Sequence, residues 1–325
     1  MEALLPGLNE IEAAARLIYR SMPTTPQYSW PLVNARAGAE VWVKHENHTP
    51  VGAFKVRGGL VYMDWLRRER PEVATVVSAT RGNHGQSIAF AAAKHGIRVV
   101  VVAPFGNSVE KNRAMQALGA ELIESGEDFQ AASEHAERLA EENGWHRVPN
   151  IDLRIITGVS TYALELFSAR QELETVYVPI GMGSGVCGTI AARNALGLAT
   201  KVVGVVSSLA PAYALSFADG QVREHEARTA IADGMACRKP DPAALEIMKA
   251  GMDRVITVDD DEVEAAMRSY FADTHNVAEG SGAAGLAALL KDRAAGGACV
   301  GTVITGGNVN SQAFGKVLGG VACVA

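Results

Sequence analysis

Short runs of consecutive apolar residues recur along the chain from about Val73 onward. The clearest are Val73–Val77, Arg98–Val102, Thr175–Val178, Lys201–Val206, Arg254–Val258 and Cys299–Ile304. Apolar positions that follow one another without alternation suit strands covered on both faces, as in a parallel sheet. Between the runs the pattern changes to helical spacing. Asn83 to Lys94 stops at Gly96, and Ser108 to Leu118 stops at Gly119. Asp259 to Asp273 opens with a capping pair, Asp259 and Glu262. Strand and helix in alternation predict right-handed βαβ units, an α/β fold with doubly wound parallel sheets.

The stretch 51–149 holds a β-α-β-α series of its own, flanked by Pro- and Gly-bearing turns, and a second series begins near Thr175. Two lobes are expected: 51–149 as the smaller, and 1–50 with 150–325 as the larger. A ligand would then sit between them at the carboxyl ends of strands. Ahead of both series, the acidic start MEALLPGLNEIEAAA reads as a first helix, with Asn9 as its cap and Glu12 three residues on. It lacks the basic region of a signal peptide, so a cytoplasmic protein is expected.

Composition narrows the classes further. The chain of 325 residues is 48% hydrophobic, rich in glycine (33 residues) and poor in aromatics (6%). That balance suits an α/β protein with tight strand-to-helix turns. The formal charge is -6 with both signs interspersed, and no basic block points to nucleic acid. No apolar run reaches the roughly 20 residues of a membrane helix. Cys187, Cys237, Cys299 and Cys323 are far apart and form no CxxC pair; they read as small buried hydrophobes in a reducing compartment. The histidines form no metal cluster.

Three segments carry candidate chemistry. In the first, Pro179-Ile180-Gly181-Met182-Gly183-Ser184-Gly185-Val186-Cys187-Gly188 follows a strand and leads into the helical Thr189–Leu196. Glycines let backbone N–H groups approach an anion, and the next helix adds its N-terminus; a plain tight turn would also account for them. No Lys-Ser/Thr pair makes it a P-loop. The spacing Gly183-x-Gly185-x-x-Gly188 fits a dinucleotide site, but the next strand, around Val203–Val206, ends without the acidic residue that would bind a ribose. In the second segment, Lys55 stands among small and apolar residues in Gly52-Ala53-Phe54-Lys55-Val56-Arg57-Gly58, just before a helix. Such an amine can lose its proton and attack a carbonyl, although most lysines are solvated surface charges. In the third, Ser78-Ala79-Thr80-Arg81-Gly82-Asn83-His84-Gly85-Gln86 gathers hydroxyl, amide and N–H groups at a helix N-terminus. That suits a carboxylate or a phenolate oxygen; ordinary capping by Thr80 and Asn83 would use the same groups.

Taken in order, GAFKVRG, TRGNHGQ, GMGSGVCG and TGGN resemble the serine/threonine dehydratase family, of the fold-type II pyridoxal-phosphate enzymes. The resemblance runs from about Glu40 to Asn310. It implies a tryptophan synthase β-like pair of lobes, with the larger binding the cofactor phosphate and the smaller the substrate carboxylate. It implies pyridoxal 5'-phosphate as cofactor and a 3-hydroxy amino acid as substrate: threonine, serine, or a β-substituted relative such as 3-hydroxyaspartate or phenylserine. By position, Lys55 matches the cofactor-bound lysine that also removes the α-proton. Phe54 matches the residue packed on the pyridine ring, and Asn83 the amide on the cofactor's 3-hydroxyl. Thr80, Arg81, Gly82 and His84 match the substrate-carboxylate loop. Gly181, Met182, Gly183, Ser184 and Gly185 match the phosphate cradle, and Thr305 takes the place of the Ser facing the ring nitrogen. Asn150 and Glu279 fall near the cofactor. A neutral Thr305 favours prompt loss of the β-substituent over transamination. Such relatives are often homodimers, though nothing in this chain marks an interface.

The chain departs from that pattern in three places. Arg81 stands where dehydratase-racemases carry a second serine, and arginine is a poor proton shuttle. Little racemisation is therefore expected, and Arg81 is open to an anionic β-substituent, to an outward-pointing position or to a structural carboxylate. Val206 and Ala212 stand where many relatives ligate a divalent cation through acidic side chains, so no metal is expected there. The chain ends soon after Thr305-Gly306-Gly307-Asn308, which favours a catabolic or specialised enzyme over a feedback-regulated one. The Ala-rich stretch Ser207 to Pro240 is a candidate for shaping the β-substituent pocket. Two further activities stay open, β-replacement of the cysteine synthase type and racemisation; the Gly82-Asn83-His84-Gly85 loop favours the dehydratase.

Overall fold

The computed structural model describes residues 5–320. Two sheets organise them. The first has six strands in the order β1-β2-β10-β7-β8-β9: β1 Gln27–Ser29, β2 Glu40–His45, β7 Thr175–Pro179, β8 Lys201–Ser207, β9 Arg254–Val258 and β10 Cys299–Ile304. All its pairs are parallel except β1 with β2. The second has four parallel strands in the order β5-β4-β3-β6: β3 Thr75–Ala79, β4 Arg98–Ala103, β5 Ala120–Glu124 and β6 His146–Arg147. The protein is thus α/β with two parallel-sheet lobes.

Burial explains most of the strands the apolar pattern revealed; β9 is the exception, an edge strand in which only Val258 is buried, so the expectation of cover on both faces fails there. In β4, β7, β8 and β10 every residue after the first is buried. Helices cover both faces of these strands, so both faces must be apolar. The strands that the pattern did not show lack that signature. β1 and β6 are very short, β5 sits at a sheet edge with only its first residue buried, and β2 breaks off its apolar run at Lys44 and His45.

Several helix boundaries move. The first helix is Leu8–Ile18, capped at Gly7, whose N–H donates to the Glu10 carboxylate at 2.8 Å. Asn9 is therefore inside the helix, and the capping pair lies two residues earlier than expected. Asp259 and Glu262 do cap the helix Asp260–Thr274 reciprocally. The helix after β7 is Ser184–Ala195, so it begins within the glycine-rich segment and well before Thr189. Lys55 is itself the first residue of the helix Lys55–Glu69. Cys187 and Cys237 are buried, whereas Cys299 is only partly so; Cys323 lies outside the described residues. No helix among the described residues is long and apolar enough to cross a membrane.

Backbone bonds join two motifs that lie some 250 residues apart. The Phe54 N–H donates to the Thr305 carbonyl at 2.9 Å, and the Gly307 N–H to the Gly52 carbonyl at 2.9 Å. The Asn308 amide donates to the Val51 carbonyl at 2.8 Å. The turn that presents Lys55 is thereby fastened to the end of β10, a buried strand of the larger sheet.

Candidate active site

A cavity opens where the carboxyl ends of β3, β7 and β10 face each other across the lobes. It is lined by Phe54, Lys55, Thr80, Arg81, Gly82, Asn83, His84, Asn150, Gly181, Met182, Gly183, Ser184, Gly185, Glu279 and Thr305. The fold therefore brings every candidate residue named from the sequence to one place.

The lysine is set up as a nucleophile. Its Nζ donates to the Ser184 hydroxyl at 3.0 Å, and it forms no ion pair with a carboxylate among the described residues. Burial without a counter-charge disfavours the ammonium and lowers its pKa to about 8. The same amine lies 5.1 Å from the centroid of the Phe54 ring. Phe54 is held edge-on by Tyr162, whose hydroxyl donates to the Gly185 carbonyl at 2.9 Å.

Across from Lys55, the backbone from Gly181 to Val186 turns from β7 into the helix Ser184–Ala195. None of its N–H groups has a protein acceptor among the described residues. Side chains are excluded here by contact. A Cβ on Gly181 would lie 2.2 Å from the Gly234 carbonyl, and Gly183 has φ 104° with Met248 packed over it. Free N–H groups at a helix N-terminus make an anion cradle, and a phosphate matches that donor set.

The loop after β3 is built differently. The Thr80 hydroxyl accepts from the N–H groups of Gly82 at 3.0 Å and Gly85 at 3.4 Å, which fixes the turn. The N–H groups of Asn83 and His84 open the helix Asn83–Ala93 without protein acceptors among the described residues. His84 is buried, and desolvation together with the nearby Lys55 lowers its pKa to about 3. It is a neutral imidazole whose Nε2 has no partner.

Four residues that sequence reasoning did not select tighten the cavity. Lys111 reaches from the smaller lobe and donates to Asp233 at 2.7 Å, and it lies 3.8 Å from Glu279. Glu279 accepts from the Asn83 amide at 2.6 Å, and Asn83 accepts from Asn308 at 2.8 Å. Burial outweighs the pull of Lys111 and holds the Glu279 carboxyl above its ordinary range. Ser281, whose buried hydroxyl is unpartnered, and Phe129 complete the set. Lys111 and Asp233 carry no local motif; only their approach across the lobes marks them. Of the Ala-rich stretch, Asp233 to Cys237 reaches the cavity.

The residues fit pyridoxal phosphate. A desolvated amine stands near a ring-stacking Phe54, an N–H cradle suits a phosphate, and Thr305 offers a hydroxyl with no protein hydrogen bond among the described residues. At the expected cation position, Val206 is buried within β8 and Ala212 opens the helix Ala212–Asp219. Neither side chain offers an oxygen. No cluster of three or more His, Cys, Asp or Glu suited to a metal occurs among the described residues.

Fold and site together define a two-lobed α/β enzyme that carries an aldehyde-type cofactor on a lysine. The comparisons agree. A family described as pyridoxal-phosphate dependent enzyme matches residues 20–306. An L-threonine ammonia-lyase of Thermotoga maritima is 31% identical over 96% of this chain and 78% of its own. The biosynthetic L-threonine dehydratase of Salmonella typhimurium is 31% identical over 94% of this chain, which spans 60% of that protein. The structure of maize serine racemase superposes with a TM-score of 0.89 at 26% identity, covering 96% of this chain and 97% of that one. The chain belongs to the pyridoxal-phosphate dependent enzyme family, and it is a lyase of that family.

Proposed function

We propose that this enzyme converts a 3-hydroxy amino acid to a 2-oxo acid and ammonia by α,β-elimination of water. The observation that carries the reading is the Lys55 amine, half-buried, unpaired with any carboxylate among the described residues and facing an N–H cradle. Bound pyridoxal phosphate supplies an electron sink that acidifies the substrate α-hydrogen.

The residues then divide the work. The 51–149 lobe brings the substrate's α-carboxylate to the open N–H groups of Asn83 and His84, while the remainder of the chain holds the phosphate on Gly181 to Gly185. Lys55 carries the cofactor and, once displaced by the substrate amine, is the base for the α-proton. The Ser184 hydroxyl, 3.0 Å from its Nζ, fixes that amine in place. Asn83, held by both Glu279 and Asn308, orients the cofactor's 3-hydroxyl oxygen. Thr305 would meet the ring nitrogen with a neutral hydroxyl. That group cannot hold the nitrogen protonated as a carboxylate would, which supports elimination over transamination. Asn150 also lines the cavity. Loss of the 3-hydroxyl as water leaves an enamine, which takes up water and releases ammonia.

The test is a nucleophile-free assay. With pyridoxal phosphate and a 3-hydroxy amino acid alone, 2-oxo acid and ammonia should appear in equal amounts. Turnover that requires an added thiol would instead identify a β-replacement enzyme. Rapid inversion of serine without oxo acid would identify a racemase.

A further inference from the structure

Arg81 is the cation of the cavity left without a task. Three permanently or largely cationic side chains line that space: Lys55, Arg81 and Lys111. Lys55 is committed to the cofactor. Lys111 is neutralised by Asp233 at 2.7 Å and Glu279 at 3.8 Å. The Arg81 guanidinium has neither an ion pair nor a hydrogen bond among the described residues, although the residue is partly buried. The expectation that it pairs with a structural carboxylate is therefore not met. A guanidinium stays charged at any working pH. Its planar fork, open to the cavity, fits a carboxylate with two parallel bonds.

The substrate's first carboxylate does not need it. The open N–H groups of Asn83 and His84 at a helix N-terminus already make a site for one. Nor does the phosphate, whose cradle lies on the opposite strand end. We infer that Arg81 selects a substrate with a second carboxylate, on its hydroxyl-bearing carbon, so that the enzyme prefers 3-hydroxyaspartate to threonine or serine. The inference rests on the dehydratase reading above. The step balances in the same way: the C–O bond at C3 breaks, water leaves, and hydrolysis gives a four-carbon 2-oxo diacid and ammonia.

Wild type, Arg81→Ala and Arg81→Lys would be compared as holoenzymes on the threo and erythro forms of 3-hydroxyaspartate and on threonine. Losing a charge-assisted bidentate contact should lower the kcat/KM ratio of diacid to threonine roughly 10- to 100-fold in Arg81→Ala. Arg81→Lys, which keeps the charge but loses the fork, should fall between. A second readout needs no turnover: succinate should raise the thermal midpoint of the wild-type holoenzyme more than butyrate does, and Arg81→Ala should lose that difference. Equal losses on diacid and threonine, or a succinate effect that survives Arg81→Ala, would overturn the inference while leaving the dehydratase reading intact. Failure of the wild type on every 3-hydroxy amino acid would instead remove the dehydratase reading itself.

Discussion

At the scale of single residues, the site depends on how an amine behaves when its solvent is removed and no counter-ion replaces it. Desolvation alone brings Lys55 to about 8. The neutral, nucleophilic form therefore dominates above about pH 8, where a solvated lysine, with a pKa near ~10.4, is still charged. Capture of pyridoxal phosphate by the cofactor-free protein should accelerate as pH rises through about 8 and level off beyond it, followed by the visible band of the lysine-bound cofactor. Acceleration that begins only near pH ~10 would show a solvated amine. His84 complements this. Lowered to about 3, it remains neutral through that whole range and adds no titration of its own.

At the scale of elements, the helix Lys55–Glu69 is anchored by a buried ion network two residues beyond the lysine. Arg57 is fully buried and donates to Glu46 at 2.7 Å and to Glu165 at 2.7 Å. Lys44 and Thr25 complete the cluster. Removing the arginine leaves two buried carboxylates short of a cation, a loss of about 3–5 kcal/mol. Arg57→Met should therefore lower the denaturant midpoint clearly and weaken cofactor retention, since the helix starts at Lys55. An unchanged midpoint would mean that the cluster does not anchor the helix. The same elements show what the sequence could and could not reveal. Strands buried on both faces declared themselves through unbroken apolar runs, and Asp259 with Glu262 declared a helix start. β2 did not, because its Lys44 and His45 look like surface residues until Lys44 is seen to donate to Glu165 and His45 to accept from the Trp30 indole. The cofactor-facing motifs were legible because each packs its chemistry into a few adjacent residues. Lys111 and Asp233 were not, since 122 positions separate the two halves of one ion pair.

At the scale of the whole molecule, the cavity exists only where the two lobes meet. Lys111 spans them through Asp233, and at the surface Arg238 pairs with Asp128 at 2.8 Å and Ser311 donates to Glu110. Beneath these polar contacts one apolar core is continuous through both lobes, from Val56, Leu60 and Ile88 to Ile155, Leu166 and Val202. On the proposed reading, a cofactor held by Lys55 on one side and by Gly181 to Gly185 on the other would bridge the two lobes. The central claim is that this closed site eliminates water from a 3-hydroxy amino acid through Lys55. The most direct measurement is 2-oxo acid and ammonia release from a panel of threo and erythro 3-hydroxy amino acids, by wild type and Lys55→Ala, each supplied with pyridoxal phosphate. The account predicts equimolar products from at least one member of the panel with the wild type, and loss of both turnover and the lysine-bound cofactor band in Lys55→Ala. A wild-type protein that binds the cofactor yet releases no oxo acid, or a Lys55→Ala protein that still does so at the wild-type rate, would contradict it.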